Sequence, residues 1–197
     1  MIPLILFLYS LLITFSISTP LAQDTAVVNL RENTGPAKHL ASGLLYGVPD
    51  TSNQIPEHFY RDIGFNYLRA GGAQVPAPGR GWIHGQTEYT NRWKSALSNY
   101  RTARQFNAQF IFLIHDLWGA DGTQPKDAKY PGDNGDWSGW DKYLTQVVGD
   151  MKANGMLEGV QIDIWNEPDL NGFWNRDRKQ YLAMWGRTYH RLRCGLS

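Results

Sequence analysis

Trp165-Asn166-Glu167-Pro168 lies where an apolar stretch, residues 159–165, gives way to a polar one, residues 169–175. A carboxyl held at a strand end beside a carboxamide is what acid/base chemistry on a sugar requires. The carboxyl moves the proton, and the amide engages a hydroxyl. The residues before it alternate. Val160, Ile162 and Ile164 fall on one face of an extended chain, and Gln161, Asp163, Trp165 and Glu167 on the other. Pro168 disfavours the α region for the residue before it, so Glu167 is expected on extended backbone. The ordinary alternative is a surface turn, since Asn, Pro and Asp are common turn residues.

Alternating elements surround this tetrapeptide. The pattern predicts strands at 43–48, 65–70, 110–115 and 159–165. Helices are expected at 55–63, 89–106, 137–153 and 178–193. Trp93, Ala96, Leu97 and Tyr100 recur at helical spacing and read as core. Residues 110–115 form a continuous apolar run, as in a parallel strand buried on both faces. A long loop rich in Asp, Gly and Trp spans 116–136, with Asp136 expected to cap the next helix. Four β-then-α units imply an α/β fold with a parallel sheet and right-handed crossovers. The fold class expected is a (β/α)8, or TIM, barrel of which the first four units are present. In such a barrel Val160, Ile162 and Ile164 pack on the outer helices, and Glu167 stands at the C-terminal mouth, where active sites sit.

Composition narrows the function. The chain has 197 residues and a formal net charge of +1, without a basic run, so it lacks the electrostatic footprint of a nucleic-acid binder. Residues 1–17 are uncharged and apolar, followed by Ser18, Thr19 and Pro20. This reads as a secretory signal peptide over 1–22, with an N-terminal anchor as the alternative. A polar leader follows at 23–42. The expected location is extracellular, with no membrane association after cleavage. Cys194 is the only cysteine, so an internal disulfide is impossible.

With these residues laid out, the chain resembles the clan A glycoside hydrolases, and within them fungal members of glycoside hydrolase family 39, which includes β-xylosidases. Asn166-Glu167-Pro168 after the fourth strand and Arg69 at the end of the second carry the resemblance. Arg69-Ala70-Gly71-Gly72, His115-Asp116-Leu117-Trp118-Gly119 and Gly132-Asp133-Asn134-Gly135-Asp136-Trp137 support it. It spans about residues 43–193. The resemblance implies a retaining hydrolase of β-linked oligo- or polysaccharides that needs no cofactor. Glu167 would be the general acid that protonates the departing oxygen, then the base that activates water. Asn166 would hold the sugar 2-hydroxyl. Arg69 would sit beneath the nucleophile and keep it ionised.

In the clan the nucleophilic glutamate lies on the seventh strand, and four units do not reach it. A retaining pair stands about 5–5.5 Å apart. Asp163 shares the face of Glu167 but lies deeper on the same strand, where no sugar fits between the two. The sequence therefore reads as an N-terminal half ending in an aberrant tail, 194–197. An incomplete gene model is favoured over a short isoform or a dedicated half-barrel. The alternative function is a non-catalytic carbohydrate-binding fragment or an inactive product.

Other candidates divide between site and scaffold. His115 either contacts substrate, or orients Glu167, or is a satisfied structural histidine. Trp118 and Trp165 are candidate substrate contacts, with Trp82 and Trp174 as further stacking rings; each has core packing as its alternative. His115 and Asp116 do not make a metal site, which recruits three or four ligands. Asp133 to Asp136 does not match a calcium loop and reads as a turn.

Overall fold

The computed structural model describes residues 26–36, 39–51, 53–72, 74–75, 81–119 and 127–196. The expected signal peptide, 1–22, lies outside them. The chain divides into two units, Met1–Ala37 and Lys38–Ser197. The described part of the first, 26–36, is exposed turn, in which Asn29 and Asn33 accept backbone hydrogen bonds from Arg31 and Gly35. The second unit carries the fold.

Its centre is a four-stranded parallel sheet in the order β1 (Gly43–Leu44), β2 (Tyr67–Ala70), β3 (Gln109–Leu113), β4 (Val160–Asp163). Neighbouring strands are consecutive in sequence, so every connection is a helical crossover. The helices are α1 (Glu57–Ile63), α2 (Gln86–Gln105), α3 (Ile114–Trp118), α4 (Ser138–Ala153) and α5 (Arg178–Leu196). Leu68 pairs with Phe110, and Phe110 with Val160; in the next outward-facing row Ala70 pairs with Phe112, and Phe112 with Ile162. Leu68, Phe110 and Phe112 are fully buried on the face covered by helices. Trp93 and Tyr100 of α2 meet Phe112 and Phe110 edge-on, with ring centroids 6.0 and 5.9 Å apart. Each such side chain contributes about 1.5–3 kcal/mol by leaving water. The expected α2 core face, Trp93, Ala96, Leu97 and Tyr100, is buried throughout.

The opposite face of the sheet carries Tyr67, Arg69, Gln109, Ile111, Leu113, Gln161 and Asp163, of which Leu113 alone is buried. This is the alternation expected along β4. Among the described residues no further strand pairs with the outer edge of β1 or β4.

Several boundaries differ from expectation. β1 covers two residues because Asn99 of α2 replaces the ladder beyond it. Its carboxamide accepts from Val48 N (2.6 Å) and donates to Val48 O (3.1 Å). Gly47, at φ 85°, permits this approach; a Cβ there would lie 2.6 Å from Asn99 Oδ1. β3 stops at Leu113, and Ile114 to Trp118 form a short helix, so His115 is helical and not at a strand end. The residue preceding α4 is Trp137, without a side-chain cap; Asp136 instead accepts from Ser138 N at 2.8 Å, a local Asx turn. Among the described residues no helix is long and apolar enough to cross a membrane.

Candidate active site

The carboxyl ends of β2 and β4 bring Arg69, Asp163 and Asn166 together, and hydrogen bonds link them in a chain that reaches Glu167. At the end of β2, Arg69 Nε donates to Asp163 Oδ2 at 2.9 Å, and Nη2 reaches the same oxygen at 2.9 Å. Arg69 Nη2 also donates to Asn166 Oδ1 at 2.8 Å. With its oxygen engaged by a guanidinium, the Asn166 carboxamide must turn its NH2 group the other way. Asn166 Nδ2 accordingly donates to Glu167 Oε2 at 3.2 Å. Among the described residues the second carboxamide hydrogen has no acceptor.

Glu167 is exposed, and its backbone has φ 39°. The extended conformation expected from Pro168 is therefore corrected: Glu167 occupies the left-handed region that L side chains rarely adopt. Its carbonyl accepts from Leu170 N at 2.9 Å, which starts the turn that carries the chain away from the sheet. A non-glycine residue held there costs on the order of 1–3 kcal/mol and persists only where its surroundings determine it.

The surroundings are aromatic. Trp165, 5 % exposed, packs against Trp140, Trp174 and Tyr130, and its Nε1 donates to Phe173 O at 3.1 Å. Trp165 thus fixes the backbone beneath Asn166 and has no open face for a sugar. Trp118 is likewise buried. It stacks on Trp82 at 5.3 Å, meets Trp140 edge-on, and donates from Nε1 to Lys129 O. It lines a separate cleft of about 530 Å³ with Trp82, Tyr130, Asp133 and Asp136. Trp174 is buried, and Trp82 is half-buried.

His115 is 1 % exposed and touches the rings of Trp165 and Phe173, with centroids 5.5 and 5.9 Å away. Its Nε2 lies 3.2 Å from Asp116 Oδ1. With Arg69, Gly71, Asp116, Asn166 and Phe173 it lines a cavity of about 90 Å³. That is well below the roughly 300–1,000 Å³ of small-molecule sites. Gly71 forms its floor: a Cβ there would stand 2.3 Å from Leu113 O and 2.7 Å from Asp116.

Two features were not foreseen. Asp163 is the ionic partner of Arg69. Beneath the cavity, Arg92, Asp116 and Tyr143 form a buried polar layer. Burial pushes the Tyr143 phenol well above its ordinary pKa, and the Asp116 carboxylate adds to the rise while Arg92 opposes it. The available signal was Arg92 itself, three residues after Tyr89 on the apolar face of α2, where an unpartnered charge is almost never tolerated.

The turn at 133–135 holds the Asp133 carboxylate, which accepts from Arg176 Nε at 2.7 Å and from Gln180 Nε2 at 3.0 Å. Burial raises the pKa of Asp133, but these bonds outweigh it and hold the carboxyl below its ordinary value. Among the described residues no group of three or more His, Cys, Asp or Glu is placed to hold a metal ion. The chain matches no family model, no curated protein and no solved structure.

Proposed function

We propose that this chain carries the acid/base half of a retaining β-glycosidase centre, built on four of the eight units of a (β/α)8 barrel. The observation that supports this best is the chain Asp163–Arg69–Asn166–Glu167 at the carboxyl end of a parallel sheet. Arg69 sets the Asn166 carboxamide, and Asn166 sets Glu167. The strained backbone of Glu167 adds support, because such strain concentrates where a side chain must be aimed.

In this reading Glu167 gives its proton to the glycosidic oxygen as the aglycone departs, then takes one from the attacking water. The free Asn166 hydrogen binds the sugar 2-hydroxyl, and that bond strengthens as the ring becomes oxocarbenium-like. Asp163 is committed to Arg69, so the nucleophile belongs to a strand beyond these four. The substrate class is a β-linked oligo- or polysaccharide, and the setting is extracellular. Arg69 and His115 shape the foot of the first sugar subsite, while Trp118 and Trp165 hold the framework behind it.

A site with acid/base but no nucleophile has a direct test. Aryl β-glycosides are offered to the chain with azide. Azide attacks the anomeric carbon from the α face, Glu167 protonates the aglycone oxygen, and a phenol and an α-glycosyl azide result. Expected are slow azide-dependent turnover and its loss in Glu167→Gln for a substrate with a poor leaving group. Sugar binding without azide-dependent turnover would favour the second reading, a non-catalytic carbohydrate-binding fragment, to which the small cavity lends support.

A further inference from the structure

The cleft of about 530 Å³ beside Trp118 has no part in the proposed acid/base chemistry. It shares no lining residue with the cavity at the strand ends, and its volume is that of a small-molecule site. Its floor is aromatic. Trp118 and Trp140 meet edge-on, and Trp82 stacks on Trp118 with ring planes 12° apart. Trp118 and Trp140 are buried, whereas Trp82 is half-buried and is steadied by the bond its Nε1 donates to Gln146 Oε1 at 3.1 Å. Gly139 lies beside these rings. A Cβ there would meet Trp118 at 3.7 Å and Trp82 at 3.8 Å, so any larger side chain would cover ring edges that the glycine leaves clear.

The rim combines acceptors with donors. Asp133 is engaged by Arg176 and Gln180 and holds the turn, while Asn134 and Asp136 are exposed and present a carboxamide and a carboxylate. Helix α4 opens onto the same cleft at Ser138 and Gly139, without a side-chain cap from Trp137. Its first amides have no carbonyl within the helix to accept them. We infer that this cleft is a second saccharide site, which holds a neutral sugar unit against Trp82 independently of Glu167. Charge selects the class of ligand. Arg176 neutralises Asp133, and Asp136 stands against Lys129 and the positive end of α4, so neither an anion nor a cation gains a net partner. Hydroxyl groups suit such a rim, because each donates to a carboxylate or carbonyl and accepts from an amide. The C–H face of a pyranose packs on the indole. Tyr130 and Trp140 line the cleft and also pack on Trp165, so one aromatic wall backs both sites.

Xylotetraose and cellotetraose, β-linked and uncharged, test this when titrated into the chain and followed through the Trp82 indole N–H signal in NMR. Expected is a saturable shift of that signal that persists in Glu167→Gln. Trp82→Ala should weaken binding about tenfold or more. Asn134 has φ 56°, so Asn134→Gly keeps the backbone and removes only the carboxamide, at a loss of about threefold or more. That variant tests the site even if Trp82→Ala misfolds, which circular dichroism would reveal. A Trp82 signal unmoved at about 20 mM of either sugar, enough to saturate a millimolar site, overturns the inference. So does binding indifferent to Asn134→Gly, a shift that vanishes in Glu167→Gln, or an equal shift with tetramethylammonium or sulfate. Sugar binding at Trp82 without azide-dependent turnover would sink the glycosidase reading alone. Azide-dependent turnover with an unmoved Trp82 would sink the second site alone.

Discussion

Phe112 and Ile162 are register partners on adjacent strands, yet Phe112 is fully buried while Ile162 lines an open groove. The two side chains are equally apolar and point to the same face of one sheet. They differ in what flanks them. Phe112 lies on β3 with α2 packed on its ring, whereas Ile162 faces α5 across a groove lined by Trp185, Tyr189 and Leu192. In a parallel α/β sheet a strand is finished only when helices from both neighbouring crossovers cover it. Among the described residues β2 and β3 lie between two paired neighbours, and β1 and β4 are the edges of the sheet.

Substitution at these two positions gives the largest expected contrast. Phe112→Ala should cost about 3–5 kcal/mol, as for a fully packed aromatic. Ile162→Ala should cost about 1 kcal/mol or less, since water already reaches the site. Urea unfolding followed by tryptophan fluorescence gives both values. Equal costs would mean that the groove is filled in solution, and the contrast between finished and unfinished strands would collapse.

The same contrast explains what could be read in advance. The α/β pattern, the parity of β4 and the buried face of α2 were legible because period-2 and period-3.6 patterns survive any tertiary context. Where β3 yields to helix was not legible: Ile111 to Ile114 are apolar on both sides of the change, so composition does not mark it. Glu167 was misjudged because the preference imposed by Pro168 is worth less than the Trp165 packing and the Leu170 hydrogen bond that turn the chain. Arg69 was identified as a site residue, but its bond to Asp163 joins positions 94 apart in sequence, and no local pattern encodes that. Trp118 and Trp165 are buried in aromatic packing, a role that residue type does not distinguish from stacking on a sugar.

Ion pairs give an intermediate effect. Arg69 and Asp163 are 15 % and 29 % exposed, and Arg69 also anchors Asn166. Arg69→Met leaves a carboxylate and a carboxamide without their donor, at an expected cost of about 1–3 kcal/mol. Arg104 pairs with Glu158, which is 86 % exposed, and Glu158→Gln should cost about 0.5 kcal/mol or less. Arg69→Met should also loosen Asn166, visible as broadening of its side-chain amide signals in NMR. A sharp, unshifted Asn166 amide in that variant would show that Arg69 does not set its orientation.

Titration gives the smallest effect and separates the regions by sign. Hydrogen bonds from Arg187 hold the Asp141 carboxyl below its ordinary 3.8, and bonds from Arg176 and Gln180 do the same for Asp133 against the opposing effect of burial. Both fasten α5 and the turn before it to the rest of the fold. A depressed carboxyl stabilises above its unfolded pKa, and that contribution is lost as pH falls through the folded value. Tyr89 and Tyr143 lie in the finished middle. Burial, first of all, raises both phenols above 10.0, so their contribution is complete below that pH and disappears as pH rises past it. Acid should therefore loosen the α5 end first, and alkali should attack the centre. Hydrogen exchange should show α5 amides losing protection between about pH 5 and pH 2 while β3 amides hold. The Asp133→Asn and Asp141→Asn pair should flatten that response. If β3 and α5 instead lost protection together in acid, the sheet and its last helix would be one cooperative unit, and the division between middle and end would not extend to stability.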